Sequence, residues 1–158
     1  MMAGKTRAIT VLDRAGISFT VHEYHVADTD LSYGEAVAEA LGVDPARLFK
    51  TLVARVDDNP TVGIVPVSGL LSLKRLARAA GGKRAEMADP AVAERLTGYV
   101  VGGISPFGQT RSLPMFVDTS AEKYETVYVS AGRRGLQVEL SPGDLLKVTS
   151  AGVADIAE

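Results

Sequence analysis

The sequence predicts an α+β fold with a mixed, curved β-sheet. Segments with helical spacing come mostly first, and short β-rich segments broken by glycines come mostly later. A hydrophobic content of 46% with only 23% charged residues is typical of a globular protein. The length of 158 residues suits one core, so we expect a single domain over residues 1–158.

Two kinds of signal place the helices. Apolar residues recur every three or four positions, and several of these stretches follow a serine or aspartate that can cap the first turn. Glycine follows most of them, as at Gly16, where a left-handed residue can end a helix. The predicted helices are residues 6–15, 32–41, 72–80, 89–98 and one that begins at Ser141-Pro142, with a short helical turn at Asp44-Pro45.

Alternating polarity, or short apolar runs bounded by turn residues, predicts the strands. The run Asp57-Asp58-Asn59-Pro60 is a turn signal, so the strands on either side of it are expected to form a hairpin. The predicted strands are residues 18–24, 48–56, 61–67, 99–101, 115–118, 126–130 and 136–140.

The composition excludes several kinds of site. The chain has no cysteine, and therefore no disulfide, thiolate nucleophile or cysteine-bound zinc. With only His22 and His25 as histidines, we expect no metal site, and no motif calls for another cofactor. We expect a cytoplasmic protein without membrane contact, because the sequence has neither a signal-peptide core nor an apolar stretch of about 18 residues.

The net charge of −2 is unevenly distributed along the chain. Residues 50–111 contain 9 Lys or Arg against 5 Asp or Glu, a local net charge of +4. This part of the chain could contact a polyanion such as nucleic acid. Its basic residues could equally form the solvated face of a helix, and the pattern alone leaves both interpretations open.

Lys50 is the most informative single residue. In the predicted strand 48–56 it shares a face with Leu48, Leu52, Ala54 and Val56, so a lysine interrupts an otherwise apolar face. Burying an unpaired ammonium is costly, which favours a functional role. A lysine near the end of a strand can also extend its ammonium to solvent, and the pattern does not separate the two.

The segment 101–108, Val-Gly-Gly-Ile-Ser-Pro-Phe-Gly, is a second candidate. Paired glycines allow a ligand to approach the backbone closely, and exposed N–H groups can hold a carbonyl or a developing oxyanion. Such a segment can also be an ordinary turn. Tyr24, Tyr33, His22 and His25 are further polar or stacking candidates, whereas Ser68, Ser105 and Ser130 lie in no nucleophile motif.

Four segments together resemble the YbaK/EbsC family of aminoacyl-tRNA editing domains. They are residues 49–52 (Phe-Lys-Thr-Leu), 86–90 (Glu-Met-Ala-Asp-Pro), 97–109 and 128–136, and the resemblance extends from about Thr6 to Ile156. It implies a barrel-like curved mixed sheet with flanking helices. Within the family the chain is most similar to the branch that deacylates Cys-tRNA(Pro). The implied partners are the acceptor end of aminoacyl-tRNA and prolyl-tRNA synthetase.

The resemblance also implies which residues act. Lys50 would bind the phosphate–ribose region of the tRNA end or orient the ester, and the loop from Gly102 to Pro106 would hold the aminoacyl carbonyl. The implied catalytic residues are Lys50, Gly102, Gly103, Ser105 and Pro106; the implied substrate-binding residues are Tyr24, Tyr33, Ser130 and Gly132. For contact with tRNA we expect Lys74, Arg75, Arg78, Lys83 and Arg84. Gln137 departs from the family pattern, in which this residue is acidic.

The implied reaction needs no enzyme nucleophile. The substrate's own cysteine thiol would attack its ester and release tRNA, which makes the enzyme formally closer to a lyase than to an ester hydrolase. Two alternatives remain: hydrolysis of Ala-tRNA(Pro), Ser-tRNA or another mischarged small aminoacyl-tRNA, and a non-catalytic module that binds aminoacyl-tRNA or a synthetase.

Overall fold

A computed structural model of the protein describes residues 5–26 and 31–158. Within these residues the chain forms five α-helices, one short 3-10 helix and eight strands. The α-helices are α1 (Arg7–Ala15), α2 (Tyr33–Leu41), α3 (Leu73–Ala79), α4 (Pro90–Thr97) and α5 (Pro142–Thr149). The strands are β1 (Thr20–Glu23), β2 (Phe49–Val56), β3 (Asn59–Pro66), β4 (Ala85–Met87), β5 (Met115–Asp118), β6 (Val127–Ser130), β7 (Leu136–Leu140) and β8 (Gly152–Ala154).

The strands form two sheets. The larger has the order β4-β2-β3-β5-β8, with antiparallel pairs around β2 and parallel pairs around β5, so it is mixed as predicted. The smaller, β1-β7-β6, is antiparallel. The sheets meet where Leu48 bridges Tyr128 and the Tyr128 N–H donates to the Arg47 carbonyl at 3.0 Å. The α+β class is confirmed, but the described strands do not close into a barrel.

The hairpin between β2 and β3 is tighter than predicted. Its turn has two residues, Asp57 and Asp58, both with positive φ (47° and 69°), as in the type I′ turns that match strand twist. Asn59 and Pro60 belong to β3 and not to the turn. The Asp57 carboxylate accepts the N–H groups of Lys83 and Arg84 at 3.0 Å each, which holds the start of β4 beside the hairpin.

Capping residues determine the ends of the helices as the sequence predicted. Thr6, Ser32, Ser72, Asp89 and Ser141 each accept a backbone N–H of the first turn. Gly16, Gly42 and Gly98 end their helices in the left-handed conformation. None of the described helices has the length and apolar character that crossing a membrane requires.

The main core lies between the two sheets. It joins α1, α4 and α5 to the inner residues of both sheets, with Leu12, Phe107 and Leu136 among its buried side chains. A second cluster packs α3 on the opposite face of β2 and β3 around Leu76, and a third packs α2 around Val37, Leu48 and Tyr128. β2 therefore lies between core clusters on both of its faces.

Two predicted elements differ from the structure, and two observed strands were not predicted. Residues 99–101 form a turn and not a strand, because the Tyr99 hydroxyl donates to the Phe107 carbonyl while Val100 and Val101 remain partly exposed. Asp44-Pro45 begins a hydrogen-bonded turn and not a turn of helix. The sequence analysis missed β4 and β8, whose three residues each are too short to show a period.

Asp118 fastens the end of the chain to the larger sheet. This carboxylate is 4% exposed and accepts the N–H groups of Ser120, Ile156 and Ala157 at 3.0–3.1 Å. Burial alone would raise the pKa of Asp118, but the hydrogen bonds from Ser120, Ile156 and Ala157 lower it below its ordinary value. The stabilisation is therefore present above the ordinary aspartate range and is lost as the pH falls through the lowered pKa.

We expect Asp118→Ala to lower the free energy of unfolding by about 2–4 kcal/mol, because buried N–H groups lose their acceptor. Urea unfolding followed by circular dichroism measures this difference. The loss should shrink as the pH falls below the ordinary aspartate range and through the lowered pKa of the wild-type carboxylate. Asp13→Ala is the control, since its ion pair with Lys5 is exposed. Equal effects of the two substitutions would contradict the anchoring role.

Candidate functional site

The candidate site lies along the incompletely paired edge of β2. One edge of β2 pairs with β3 over its whole length, but the other pairs with β4 only from Ala54 to Val56. On the same edge, Leu48, which immediately precedes β2, forms the bridge to β6. Between these two points no described strand covers β2. The gap between the diverging sheets is a cavity of about 370 Å³, within the usual range for ligand pockets.

The cavity wall is mostly apolar and comes from elements far apart in the sequence. Its apolar residues are Val37, Leu48, Phe49, Leu52, Val53, Val67, Met87, Ala88, Pro90, Ala93, Val101 and Ile104; the others are Tyr33, Gly34, Lys50, Thr51, Gly102, Ser130, Arg134 and Gln137. These described lining residues include neither a histidine nor a carboxylate. Among the residues that the structure describes, no group of three or more His, Cys, Asp or Glu is placed to hold a metal ion.

Lys50 lies in this wall, on the strand and in the alternation that the sequence predicted. Its side chain is half-buried, and within the described part of the chain its ammonium has no hydrogen bond or ion pair. Burial lowers the pKa of Lys50, because desolvation disfavours the charged form. An unpaired, partly desolvated ammonium attracts an anion or a developing negative charge more strongly than a solvated one.

The loop after α4 contributes one glycine to the cavity. Gly102 has a φ of 92°, and a Cβ there would lie 2.4 Å from Arg134 Nε, so no other residue fits without displacement. The Arg134 guanidinium donates to the Val101 carbonyl through Nε at 3.2 Å and Nη2 at 3.1 Å. Close packing against Arg134 therefore fixes the backbone of Gly102 at the mouth of the cavity.

Three other predicted loop residues lie behind this wall. Gly103, Ser105 and Pro106 are buried and do not line the cavity. The Ser105 hydroxyl accepts the Phe107 N–H at 3.2 Å, and its carbonyl accepts the Gln109 side chain at 3.0 Å. The structure thus places these residues where they can hold the loop's shape, out of reach of a ligand in the cavity.

Tyr33 and Arg134 separate this cavity from a second, more polar one. The Arg134 guanidinium lies 4.9 Å from the centre of the Tyr33 ring, and the Tyr33 hydroxyl is 3.1 Å from that of Tyr24. Burial raises the pKa of Tyr33, so its phenol stays protonated. Tyr24 lines only the second cavity, which has a volume of about 640 Å³ and also includes His25 and Arg133.

The remaining predicted residues lie in different places. Ser130 lines the cavity, and its hydroxyl accepts the Gly132 N–H at 3.3 Å; Gly132 itself lies outside the lining. His22 is 2.9 Å from Glu139 and is not among the residues that line the cavity. The five basic residues predicted to contact tRNA are all exposed, and none lines the cavity; they are Lys74, Arg75, Arg78, Lys83 and Arg84.

Sequence reasoning missed two lining residues, Thr51 and Arg134, and noted Gln137 only as a departure from a pattern. Thr51 follows Lys50 on the strand, so the alternation of side chains places it on the opposite face. This alternation does not indicate a cavity at the edge of the strand. Arg134 had a detectable signal, because it lies inside one of the four family-like segments.

The comparisons of this chain with known proteins agree with one another. The profile of the aminoacyl-tRNA editing domain matches residues 30–148. The candidate Cys-tRNA(Pro)/Cys-tRNA(Cys) deacylase EbsC of Enterococcus faecalis is 37% identical, over 96% of this chain and 93% of its own. The multifunctional Ser/Thr-tRNA deacylase ProXp-y of Escherichia coli is 31% identical, over 90% and 86%. A crystal structure of a candidate trans-editing enzyme for prolyl-tRNA synthetase superposes with a TM-score of 0.84 at 28% identity, over 96% and 95%.

We expect the Lys50 ammonium to titrate below the ordinary lysine value, because burial disfavours its charged form. NMR titration of protein labelled with ¹³C at the lysine ε-carbons measures all six lysines, and Lys50→Arg identifies the Lys50 signal by its loss. Lys147→Arg, at an exposed site on α5, is the matched control for the assignment. A Lys50 signal that titrates at the ordinary value would contradict the desolvation of this site.

Proposed function

The chain belongs to the YbaK/EbsC family of aminoacyl-tRNA editing domains and is an aminoacyl-tRNA deacylase of that family, and we propose that it removes mischarged cysteine from Cys-tRNA(Pro) in trans. The observation that supports this substrate best is the composition of the cavity. Its described wall offers two cationic side chains, Lys50 and Arg134, but no imidazole or carboxylate to act as a general base.

A described wall without an imidazole or carboxylate base favours a substrate that supplies its own nucleophile. A cysteine thiol has a pKa of about 8.5, so a useful fraction is thiolate near neutral pH, whereas a serine hydroxyl or water needs a base. The similarity to EbsC, which is named for cysteinyl substrates, agrees with this choice.

In the proposed reaction the substrate's thiolate attacks its own ester carbonyl. A carbon–sulfur bond forms, the bond from the carbonyl carbon to the ribose oxygen breaks, and that oxygen takes up a proton as tRNA leaves with a free 3′ end. The other product is a four-membered thiolactone of cysteine. The protein supplies orientation and stabilises the negative charge that develops on the carbonyl oxygen.

Lys50 and Gly102 are the residues that we assign to these roles. We assign the Lys50 ammonium to the ester or to the adjoining phosphate–ribose region, since it is the cavity-lining cation without a partner among the described residues. The Gly102 backbone, held by Arg134, is assigned to the aminoacyl carbonyl. Gly103, Ser105 and Pro106 act through the shape of the loop.

One observation favours a second candidate function. ProXp-y, which is 31% identical, is named for Ser- and Thr-tRNA, so this chain could act on a hydroxyl-bearing aminoacyl ester. That reaction would use activated water, with the deprotonated amine of Lys50 as a base, since burial lowers its pKa.

Rapid deacylation of Cys-tRNA(Pro), with little action on Ala-tRNA(Pro) or Ser-tRNA, is expected from the purified protein. Lys50→Ala should lower the cysteinyl rate by about 100-fold or more, because it removes the charge opposite the reacting ester. Lys123→Ala is the matched control, an exposed lysine outside both the cavity and the basic surface around α3. The measurement is loss of labelled amino acid from tRNA above the spontaneous rate.

Products separate the two chemistries. In H₂¹⁸O the thiol mechanism gives thiolactone first, whereas direct hydrolysis gives cysteine with ¹⁸O in its carboxylate from the start. Direct incorporation without a thiolactone intermediate would refute the thiol mechanism, and preferential loss of serine would establish the second candidate. Absence of all deacylation would favour a binding module.

The exposed basic surface formed by Lys74, Arg75, Arg78, Lys83 and Arg84 is the proposed contact for tRNA. Its residues lie on α3 and just before β4, and Met87 of β4 belongs to the cavity wall. Arg75 already binds the Ala157 carbonyl at 2.6 Å and pairs with Asp155, so it also holds the end of the chain. We propose that prolyl-tRNA synthetase, as partner, supplies the selection of tRNA(Pro).

Joint substitution of Lys74→Gln and Arg78→Gln is expected to weaken tRNA binding and to reduce the slope of log K against log salt by about 1 per lost phosphate contact. Fluorescence anisotropy with labelled tRNA over a salt series measures both quantities. Lys123→Gln with Lys147→Gln removes the same charge from another exposed surface and serves as the control. An unchanged slope would exclude this surface as the tRNA contact.

A further inference from the structure

Two buried side-chain oxygens in the cavity wall have no hydrogen-bond partner. They are Thr51 Oγ1 and Gln137 Oε1, on residues that are 8% and 5% exposed. Both residues line the apolar cavity beside β2, although they come from different sheets. Leaving a buried polar atom unpaired costs free energy, so such atoms in a native fold call for an explanation.

The surroundings of these oxygens define the ligand group that would pair with them. Both can accept a hydrogen bond, and both are uncharged. The described lining residues already include two cationic side chains, Lys50 and Arg134, and no carboxylate. The ligand group that fits these two oxygens is therefore a hydrogen-bond donor with two or more hydrogens. It must also bind without a carboxylate from the protein.

We propose that Thr51 and Gln137 form the subsite that accepts the α-amino group of the aminoacyl ester. An α-amino group has at least two N–H donors, which equals the number of unpaired oxygens, and every aminoacyl-tRNA carries one beside the reacting carbonyl. This inference rests on the proposed function and deepens it, because it names the residues that distinguish an aminoacyl ester from a simple acyl ester.

The position of Gln137 agrees with this role. Gln137 pairs with Ser130 in the small sheet, and Ser130 also lines the cavity, so both residues face the gap opposite β2. Thr51 lies on β2 next to Lys50, at the part of the edge that no described strand covers. An aminoacyl group bound in the gap would thus have polar acceptors on both sides and the Lys50 ammonium nearby.

The test compares two stable ligands that differ only in the α-amino group: the L-cysteinyl and 3-mercaptopropionyl amides of 3′-amino-3′-deoxyadenosine. Calorimetry with the wild-type protein should show tighter binding of the cysteinyl amide. Thr51→Val and Gln137→Leu should each reduce this preference by about fivefold to tenfold, through weaker binding of the cysteinyl amide alone. Thr61→Val is the control, because its hydroxyl already has a partner and lies outside the cavity.

A second readout separates this role from a structural one. Replacing an unpaired buried oxygen by a methyl or methylene group should leave the melting temperature unchanged or higher, whereas loss of a structural hydrogen bond lowers it. The proposal is overturned if either substitution leaves the preference for the cysteinyl amide intact, or weakens both ligands equally. Because the ligands cannot be cleaved, this result is independent of whether the protein deacylates Cys-tRNA(Pro).

Discussion

The half-paired edge of β2 is the constraint on which the site depends. β2 is held along β3, pinned to β4 at its end and to β6 at its beginning, and the two sheets diverge between these points. A fully paired β2 would leave no cavity, and a β2 without the Leu48 bridge would leave the small sheet unattached on this side. At Lys50 and Thr51, β2 thus keeps one edge free, while core clusters cover both faces of the strand.

Arg134 connects the separate parts of the wall to one another. Its guanidinium binds the Val101 carbonyl, packs where a Cβ of Gly102 would be, and lies over the Tyr33 ring. The loop after α4, the turn after β6 and the start of α2 are therefore positioned by one side chain. Tyr24 and Gly132 act at one remove, since their hydrogen bonds hold residues that do face the cavity, whereas the hydrogen bonds of Ser105 stay within its own loop.

Local signals predicted most of the fold and part of the site. Caps and periodicity placed the helices, and alternation along β2 placed Lys50 on an apolar face, because these properties depend on neighbouring residues. The three-residue strands β4 and β8, the Leu48–Tyr128 bridge and the unpaired oxygens depend on contacts between distant segments, which periodicity does not encode. The family resemblance identified the loop, but not which of its residues reach the cavity: Gly102 does, whereas Gly103, Ser105 and Pro106 do not.

The chemistry of the cavity suggests how a small site can be selective without close discrimination of size. An apolar pocket distinguishes side chains that differ by one methylene or a similar change by only about 1–3 kcal/mol, too little to protect correctly charged tRNA. A wall with cationic side chains, but without an imidazole or carboxylate among its described residues, adds a second criterion. Under the proposed thiol mechanism, only a substrate whose own side chain is nucleophilic near neutral pH reacts there, so proline and alanine esters would bind without being cleaved. Selectivity then arises from the reactivity of the bound amino acid more than from its fit.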